Sequence, residues 1–393
     1  MPETKRCQQP VRHRGTAWAA TLALLLGGCS TIVPRAAGPG AVPPPPPVER
    51  GTQAAPQEAP RDRVAVLAPL TGPNAGLGQS IANAAGMALI DTGGAGLRIT
   101  TYDTAPGAAA AAQRALAEGN KLILGPLLAD EVRQVAPVAQ AAHVPVLSFS
   151  NDIDVAGHGV YLLGFAPAQS IERVVAYAAS RGLKRIAALV PNGLYGRRAS
   201  NALLHAADQA GASVVSMQSY DRSPASLAAA VKKLGPAAGY DALLVADSGR
   251  IALVAAPLVR RSGSTARLLG TELWNTEPTL AASKPMQGAW FAAVPDRLYA
   301  QFAAKYRARF GKGPYRLASL GYDSVLLASR IAADWKPGSD FPEERLADKG
   351  GFAGIDGAFR FNERNVAERM LDVKQVGAGG VTIVSPAAGG FGG

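Results

Sequence analysis

The chain has 393 residues, a formal net charge of +11 at pH 7, 48% hydrophobic residues and only two cysteines. Its basic residues are scattered, without a dense run or interleaved aromatic side chains, so the charge does not indicate a nucleic-acid-binding protein. A mildly basic body favours anionic partners, such as a cell-wall polymer or an acidic protein surface, and it also fits an ordinary soluble surface.

Residues 1–28 have the pattern of a secretory signal peptide. Four basic residues lie between positions 5 and 14, and an apolar run of ten residues follows from Ala17 to Leu26. That is the length of a signal-peptide core, whereas a membrane-spanning helix needs roughly 20 apolar residues. We therefore expect residues 1–28 to be removed rather than to anchor the chain as a helix.

The apolar run closes on Leu-Gly-Gly-Cys at positions 26–29. This stretch resembles the lipobox of bacterial lipoproteins, which implies cleavage before Cys29 and lipid attachment to its sulfur and α-amine. An ordinary secretory signal with a coincidental cysteine is the alternative. Ser30 stands where an aspartate favours retention in the inner membrane, so the outer membrane is the expected location. With Cys7 removed and Cys29 lipidated, no disulfide, cysteine nucleophile or cysteine-ligated metal is expected.

Residues 29–63 are predicted to be the lipidated cysteine and a proline-rich linker. Nine prolines occur between positions 34 and 63, five of them consecutive at 43–47, and large apolar side chains are almost absent. This composition favours polyproline II structure, which reaches on the order of 100 Å when such a segment is fully extended. We expect the linker to hold the folded body away from the membrane.

From residue 64 to about 376, short apolar runs alternate with alanine-rich amphipathic stretches. Because strands that are buried on both faces alternate with helices, the pattern predicts an α/β fold of parallel sheets flanked by helices. The predicted strands are Arg63–Leu70, Leu97–Asp103, Lys121–Gly125, Val144–Phe149, Val160–Phe165, Arg185–Val190, Ala212–Met217, Asp241–Ala246, Arg267–Gly270 and Ala289–Val294. The predicted helices are Gly78–Ile90, Ala108–Glu118, Asp130–Ala142, Ser170–Arg181, Gly196–Ala210, Ser226–Leu234 and Ile251–Arg260.

A body of roughly 310 residues exceeds one hydrophobic core, so two lobes are expected within 64–376. The first lobe is predicted to contain about 64–165 plus part of 270–335, because later segments are expected to return and complete the first sheet. The second lobe is predicted to contain about 166–269 plus a C-terminal segment, and 377–393 to be a Gly/Ala-rich tail. A cleft between the lobes, at the carboxyl ends of the strands, is the expected ligand position.

The run Val64–Asp91, which reads VAVLAPLTGPNAGLGQSIANAAGMALID, resembles the first strand, loop and helix of type I periplasmic binding proteins of the leucine-binding kind. Three later segments resemble successive parts of that two-lobed fold with several interlobe crossovers: Leu122–Asp152, Arg185–Gly211 and Gly351–Val376. The sequence GPLLADEV, followed by PVLSFSND, is most similar to the penicillin-binding protein activators, which are lipoproteins that stimulate peptidoglycan synthases. In the enterobacterial activator a helical-repeat domain precedes this domain, whereas here the proline-rich linker occupies that place.

The same resemblance implies six ligand-binding candidates in the cleft: Ser150, Asn151, Tyr195, Asp247, Ser248 and Glu272. In amino-acid receptors of this fold, hydroxyl and backbone N–H groups hold the ligand carboxylate, and acidic groups hold its ammonium. The loop 126–129 has no hydroxyl where such receptors place a serine, which disfavours ordinary branched-chain amino-acid recognition. Local roles are the competing interpretation: a cap or Asx turn for Ser150 and Asn151, a helix cap for Asp247 and packing for Tyr195.

Other chemistry is poorly supported by the sequence. The glycines at 72, 76 and 78 precede a helix, but their spacing matches neither the dinucleotide fingerprint nor the phosphate-binding loop. The histidines at 143, 158 and 205 are far apart in sequence, so neither a metal site nor a cofactor is expected. Asp152 and Asp154 lie in a turn-rich loop and are interpreted as solvated.

The sequence therefore favours a non-enzymatic periplasmic lipoprotein, anchored through Cys29, that activates a peptidoglycan synthase of the bifunctional penicillin-binding protein type. The second hypothesis is the substrate-binding component of an amino-acid ABC transporter of the branched-chain type, which would bind a small polar ligand such as an amino acid. No arrangement of nucleophile and base indicates an enzyme, and no nucleic-acid partner is expected.

Overall fold

The computed structural model describes residues 61–94 and 96–392. The predicted signal peptide, the lipobox with Cys29 and the linker as far as residue 60 lie outside the described residues. Within the described ranges, no helix combines the length and the apolar character that crossing a membrane requires.

Apart from one partly exposed edge strand, the first sheet is built from short runs rich in Val, Ile and Leu, buried on both faces and joined by helices. Its strands are β1 (Asp62–Ala68), β2 (Leu97–Asp103), β3 (Leu122–Leu124), β4 (Val146–Ser148) and β5 (Val160–Leu162), and its helices are α1 (Ala75–Asp91), α2 (Ala108–Ala117) and α3 (Ala129–Ala141). All neighbouring strands are parallel, in the order β2-β1-β3-β4-β5. The parallel α/β architecture predicted from the sequence is confirmed.

The second lobe repeats this scheme over the next part of the chain. Its elements are α4 (Pro167–Ser180), β6 (Arg185–Pro191), α5 (Leu194–Gln209), β7 (Ser213–Tyr220), α6 (Pro224–Lys233), β8 (Ala242–Val245), α7 (Gly249–Arg261), β9 (Arg267–Gly270) and β10 (Trp290–Ala293). A short 3-10 segment, Glu272–Thr276, follows β9. Each predicted strand and helix overlaps an observed element, and Leu97–Asp103 and Arg267–Gly270 coincide with their strands.

The chain then returns to the first lobe through α8 (Arg297–Phe310), α9 (Ala318–Ala332) and three antiparallel strands, β11 (Phe352–Gly354), β12 (Gly357–Phe361) and β13 (Ala367–Arg369). The prediction that returning segments complete the first sheet is wrong, because they add helices and a separate small sheet. The part of 270–335 that lies in the first lobe consists of α8 and α9, since β10 joins the second sheet and the return begins only at α8. Hydrophobic patterning does not reveal which of two sheets a strand joins.

Two last strands, β14 (Asp372–Gly377) and β15 (Gly380–Ser385), complete the second sheet, whose order is β15-β14-β10-β9-β8-β6-β7. β14 is antiparallel to both β10 and β15. The prediction of a Gly/Ala-rich tail at 377–393 is therefore partly wrong. A two-residue turn follows β14, and β15 pairs with β14 to form a hairpin. Beyond the hairpin, the Arg360 guanidinium lies 4.6 Å from the ring centre of Phe391.

Each sheet has a hydrophobic core on both faces. In the first lobe, α1, α8, α9 and the small sheet cover one face, and α2 and α3 cover the other. In the second lobe, α4 and α5 cover one face, and α6 and α7 cover the other. Both sheets are therefore enclosed between two layers of secondary structure.

The described chain crosses between the lobes three times, at residues 163–166, 294–296 and 370–371. Buried cations tie these crossovers together. Arg369 Nη2 donates to the carbonyl of Leu163 at 2.7 Å, which joins the third crossover to the first. Lys374 Nζ donates to the carbonyl of Val294 at 3.2 Å, which joins the second sheet to the second crossover.

A buried charge cluster, Arg316, Asp323, Asp356 and Arg369, lies beside these crossovers. Arg316 Nη2 donates to Asp356 Oδ1 at 2.6 Å, and Asp323 accepts the Ile355 N–H at 2.7 Å. Burial and the nearby Asp356 raise the pKa of Asp323 to about 7, although Arg369 opposes the shift. Three side-chain atoms of this cluster have no hydrogen-bond partner among the described residues: Asp356 Oδ2 and the Nε and Nη1 of Arg369.

Candidate functional site

All six predicted cleft residues lie just after the carboxyl ends of strands, with Tyr195 in the first turn of α5 and Glu272 at the start of a 3-10 segment. Ser150 and Asn151 follow β4 in the first lobe, whereas the other four follow β6, β8 and β9 in the second. This is the edge at which parallel sheets usually bind ligands. The structure brings the candidates into three groups, each held by its own hydrogen bonds.

The first group joins Tyr195 to Glu272. The Tyr195 hydroxyl lies 3.1 Å from Thr271 Oγ1 and donates to Glu272 Oε1 at 3.4 Å. Ser170, on α4, donates its hydroxyl to the other carboxylate oxygen of Glu272. Thr271 and Ser170 were not predicted, because hydroxyl side chains at strand and helix ends are too common in sequences to mark a site.

Burial dominates the electrostatics of this group. It raises the pKa of the Glu272 carboxyl, although the hydrogen bonds from Ser170 and Tyr195 oppose the shift. Burial and the neighbouring Glu272 also raise the pKa of Tyr195 well above its usual value. Tyr195 and Glu272 therefore supply each other's hydrogen bond in an environment with little access to water.

The second group surrounds Asp247, which is 2% exposed. Its Oδ2 accepts from the Tyr220 hydroxyl at 2.9 Å and from Arg222 Nε at 2.8 Å, and its Oδ1 accepts the Ser248 N–H at 2.7 Å. Ser248 caps α7 by accepting the Ile251 N–H at 3.4 Å. The helix cap expected at this position is thus Ser248, and Asp247 holds it in place.

The third group is the loop after β4. Ser148 Oγ accepts the Ser150 N–H at 3.1 Å, and Ser150 Oγ accepts the Asp152 N–H at 3.1 Å. These contacts are the local turn roles that compete with ligand binding. Asn151 differs, because its side chain is exposed and lines a cavity between the lobes.

The same loop also bridges the two lobes, which the sequence did not predict. Arg198, on α5 in the second lobe, pairs with Asp152 and, at 2.7 Å, with Asp154 in the first. Arg133 of α3 also pairs with Asp152 at 3.0 Å. The interpretation of Asp152 as solvated is wrong, since its side chain is 6% exposed. The partner arginine lies 46 residues away, and no spacing rule connects them.

The bridge depends on an ionised Asp152. Burial alone would raise the pKa of this carboxyl, but the Asp154 N–H and the guanidinium groups of Arg198 and Arg133 hold it below its usual range. Negative charge on the first lobe is therefore stable next to the arginine of the second. Among the residues the structure describes, no group of three His, Cys, Asp or Glu side chains could hold a metal ion.

Residues 63–379 match the model of a family described as periplasmic binding protein. Among solved structures, a putative branched-chain amino acid ABC transporter protein from Rhodospirillum rubrum is similar, with 20% identity, a TM-score of 0.70 and coverage of 82% of this chain and 100% of that one. The C-domain of LpoA from Haemophilus influenzae, a regulator of PBP1A, is similar with 19% identity, a TM-score of 0.66 and coverage of 82% and 100%. At these identities the likeness shows the fold.

A third similar structure is an ABC transporter substrate-binding protein from Desulfitobacterium hafniense in complex with Leu, with 19% identity, a TM-score of 0.64 and coverage of 82% of this chain and 100% of that one. Among curated proteins, an uncharacterized protein of Rickettsia prowazekii (strain Madrid E) is 26% identical over 173 residues. That match covers 44% of this chain and 46% of the relative, so it spans less than half of either protein.

Proposed function

Because the chain belongs to the periplasmic binding protein family, we propose that it is a non-enzymatic lipoprotein of the cell envelope that binds and activates a peptidoglycan synthase. Family membership indicates a periplasmic or other extracytoplasmic location. Lipidation of Cys29 and attachment to the outer membrane are part of the proposal. The partner would be a bifunctional penicillin-binding protein.

The proposal rests on the hydrogen bonds that the candidate cleft residues already make within the protein. In the second lobe, Glu272 and Asp247 already accept hydrogen bonds from the chain's own hydroxyl and guanidinium groups. A ligand ammonium would have to replace these donors, and breaking a buried hydrogen bond to a charged group costs roughly 1.5–3 kcal/mol. Arg198 also holds the lobes together across the loop that carries Ser150 and Asn151. These contacts favour a protein that acts by binding a protein partner on its surface over one that binds a small ligand in the cleft.

The likeness to the LpoA C-domain supports the same reading, since that protein is a regulator of PBP1A. Substrate-binding proteins of transporters share the fold equally, so the fold alone does not choose between the two roles. The loop 126–129, without a hydroxyl, adds to the case against ordinary amino-acid recognition.

The test is a reconstituted synthesis assay with the full-length chain and a bifunctional penicillin-binding protein from the same cell. We expect the chain to bind the synthase and to raise the rate of glycan-strand synthesis. Leucine, isoleucine and valine should leave the melting temperature of the chain unchanged. If the chain neither binds a synthase nor raises synthesis, the proposal is wrong.

A solute receptor is the second candidate, favoured by the acidic and hydroxyl groups at the carboxyl edge of the second sheet. It predicts low-micromolar binding of an amino acid. Tyr195→Phe and Asp247→Asn should both weaken that binding, whereas Arg98→Ala, on the exposed edge of β2, should not. Isothermal titration calorimetry with amino acids decides between the two functions.

A further inference from the structure

A cavity of about 570 Å³ lies between the lobes, next to the first crossover. The first lobe contributes the loop after β4 and the turn between β12 and β13, and the second contributes the start of α4 and one face of α5. We call it the hinge cavity, and its polar lining consists of Asn151, Glu172, Arg197, Asn201, His205 and Arg364, beside the Arg198–Asp154 pair. Its volume is in the range of small-molecule sites.

The polar lining of the hinge cavity contrasts with the candidate cleft. Its six residues make no side-chain hydrogen bond or ion pair within the described part of the chain. In the cleft, by contrast, Tyr195, Asp247, Ser248 and Glu272 are all bonded to other parts of the protein. Five of the six side chains are exposed and Glu172 is half-buried, so their hydrogen-bonding groups contact water that a ligand can displace.

Two arginines give the cavity a site for a carboxylate. Arg197 projects from α5 in the second lobe, and Arg364 comes from the β12–β13 turn in the first. Their neighbour Arg198 is occupied by Asp152 and Asp154. A carboxylate accepts hydrogen bonds readily from guanidinium groups. A carboxylate within reach of both guanidinium groups would be held from both lobes.

Glu172 supplies the opposite charge. It is half-buried on α4, where burial raises the pKa of its carboxyl, the nearby His205 opposes the shift and Glu368 adds to it. A half-buried carboxylate without a hydrogen-bond donor is unfavourable, and a ligand ammonium would supply that donor. The apolar part of the wall includes Ile153, Pro167 and Leu194, of which Leu194 is 47% exposed.

We propose that the hinge cavity binds a short peptide with free ends, whose carboxylate pairs with Arg197 and Arg364 and whose ammonium pairs with Glu172. Small apolar side chains of the peptide lie against Ile153, Pro167 and Leu194. Since the two arginines belong to different lobes, the bound peptide links the lobes beside the crossover. This inference does not depend on the proposed function.

The experiment is calorimetry of the full-length chain with tri-alanine, N-acetyl-tri-alanine and tri-alanine amide. We expect tri-alanine to bind, and each blocked form to bind at least about tenfold more weakly because one charged pair is lost. Glu172→Gln and Arg364→Ala should each weaken tri-alanine binding by a similar factor. Glu344→Gln and Arg98→Ala, both exposed outside the cavity, are the matched controls and should bind as the unaltered chain does.

Several results would overturn the proposal. One is the absence of heat at about 1 mM tri-alanine, a concentration that detects even weak sites. Another is equal binding of the free and blocked peptides, or binding that survives both cavity variants. Loss of binding in Tyr195→Phe but not in Glu172→Gln would place the peptide in the cleft instead. Circular dichroism confirms that each variant is folded, and synthase activation, measured separately, fails or succeeds independently.

Discussion

At the scale of single residues, charged side chains at the lobe boundary determine much of the chemistry. Asp152 and Asp323 illustrate two opposite environments for one residue type. Asp152 is surrounded by guanidinium groups and is stabilised as an anion, whereas Asp323 is buried against the like charge of Asp356. Sequence reasoning could not separate them, because the deciding neighbours lie 19 to 46 residues away.

Asp323 is predicted to make the protein less stable as the pH rises from about 4 to about 7. Its pKa in the folded state, about 7, exceeds the ordinary value of 3.8, so the folded state binds the proton more tightly in this interval. Asp323→Asn should therefore flatten the fall in unfolding free energy over that range. Urea unfolding at a series of pH values measures the slope. The exposed Asp208→Asn is the control, and an unchanged slope in Asp323→Asn would contradict the prediction.

Arg198→Ala is predicted to open the lobes and to lower the unfolding free energy by about 2 kcal/mol, since a hydrogen-bonded charge pair is lost at Asp152. Small-angle X-ray scattering should show a larger radius of gyration. The neighbouring Arg197→Ala removes an arginine without a partner, so stability should change by less than about 0.5 kcal/mol. Equal effects of the two variants would show that the bridge does not hold the lobes.

At the scale of elements, patterning predicted the parallel strands and their helices but missed α8, α9 and the five strands after β10. The reason is visible in α9, where Ser319, Gly321, Asp323 and Ser324 are buried together with the apolar residues. A helix buried all round lacks the polar stripe that identifies a helix in a sequence. The loops of the candidate cleft were predicted by resemblance, whereas their hydrogen-bond partners come from distant elements and were not.

The packing of α9 on α1 gives a prediction for two glycines. A Cβ on Gly321 would lie 2.5 Å from the Ile81 carbonyl oxygen, so Gly321→Ala should cost about 1–3 kcal/mol through overpacking. Gly86, within α1, has open space around it, so Gly86→Ala should stabilise the helix by up to about 1 kcal/mol. Thermal and urea unfolding measure the stability of both variants. Destabilisation by Gly86→Ala would contradict the finding that the space around Gly86 is open.

At the scale of the whole molecule, the two lobes behave as one unit only if their crossovers stay joined. Arg369 is one such link, because it binds Leu163 and lies 4.8 Å from the ring centre of Phe165. Its charge also offsets Asp323 and Asp356. This arrangement couples the stability of the lobes to one buried side chain.

Arg369→Met is predicted to cost about 3–5 kcal/mol, since it leaves two buried carboxylates with less compensation. Calorimetric unfolding should broaden or split into two transitions as the lobes uncouple. Arg360→Met is the matched control, because Arg360 pairs with Glu368 near the surface and such pairs contribute about 0–1 kcal/mol. A single sharp transition with unchanged midpoint in Arg369→Met would refute the coupling.

The return of the chain to both lobes has a consequence for how the protein acquires its structure during synthesis. The first lobe needs α9 and the strands up to Arg369 to cover one face of its sheet, and the second needs β14 to pair with β10. The first core cannot close before Arg369 has left the ribosome, and the second cannot close before the strand Asp372–Gly377 has done so. Contacts between residues so distant in sequence also form slowly. The nascent polypeptide therefore remains incompletely folded, and exposed to chaperones or translocation machinery, until the strand Asp372–Gly377 has been made.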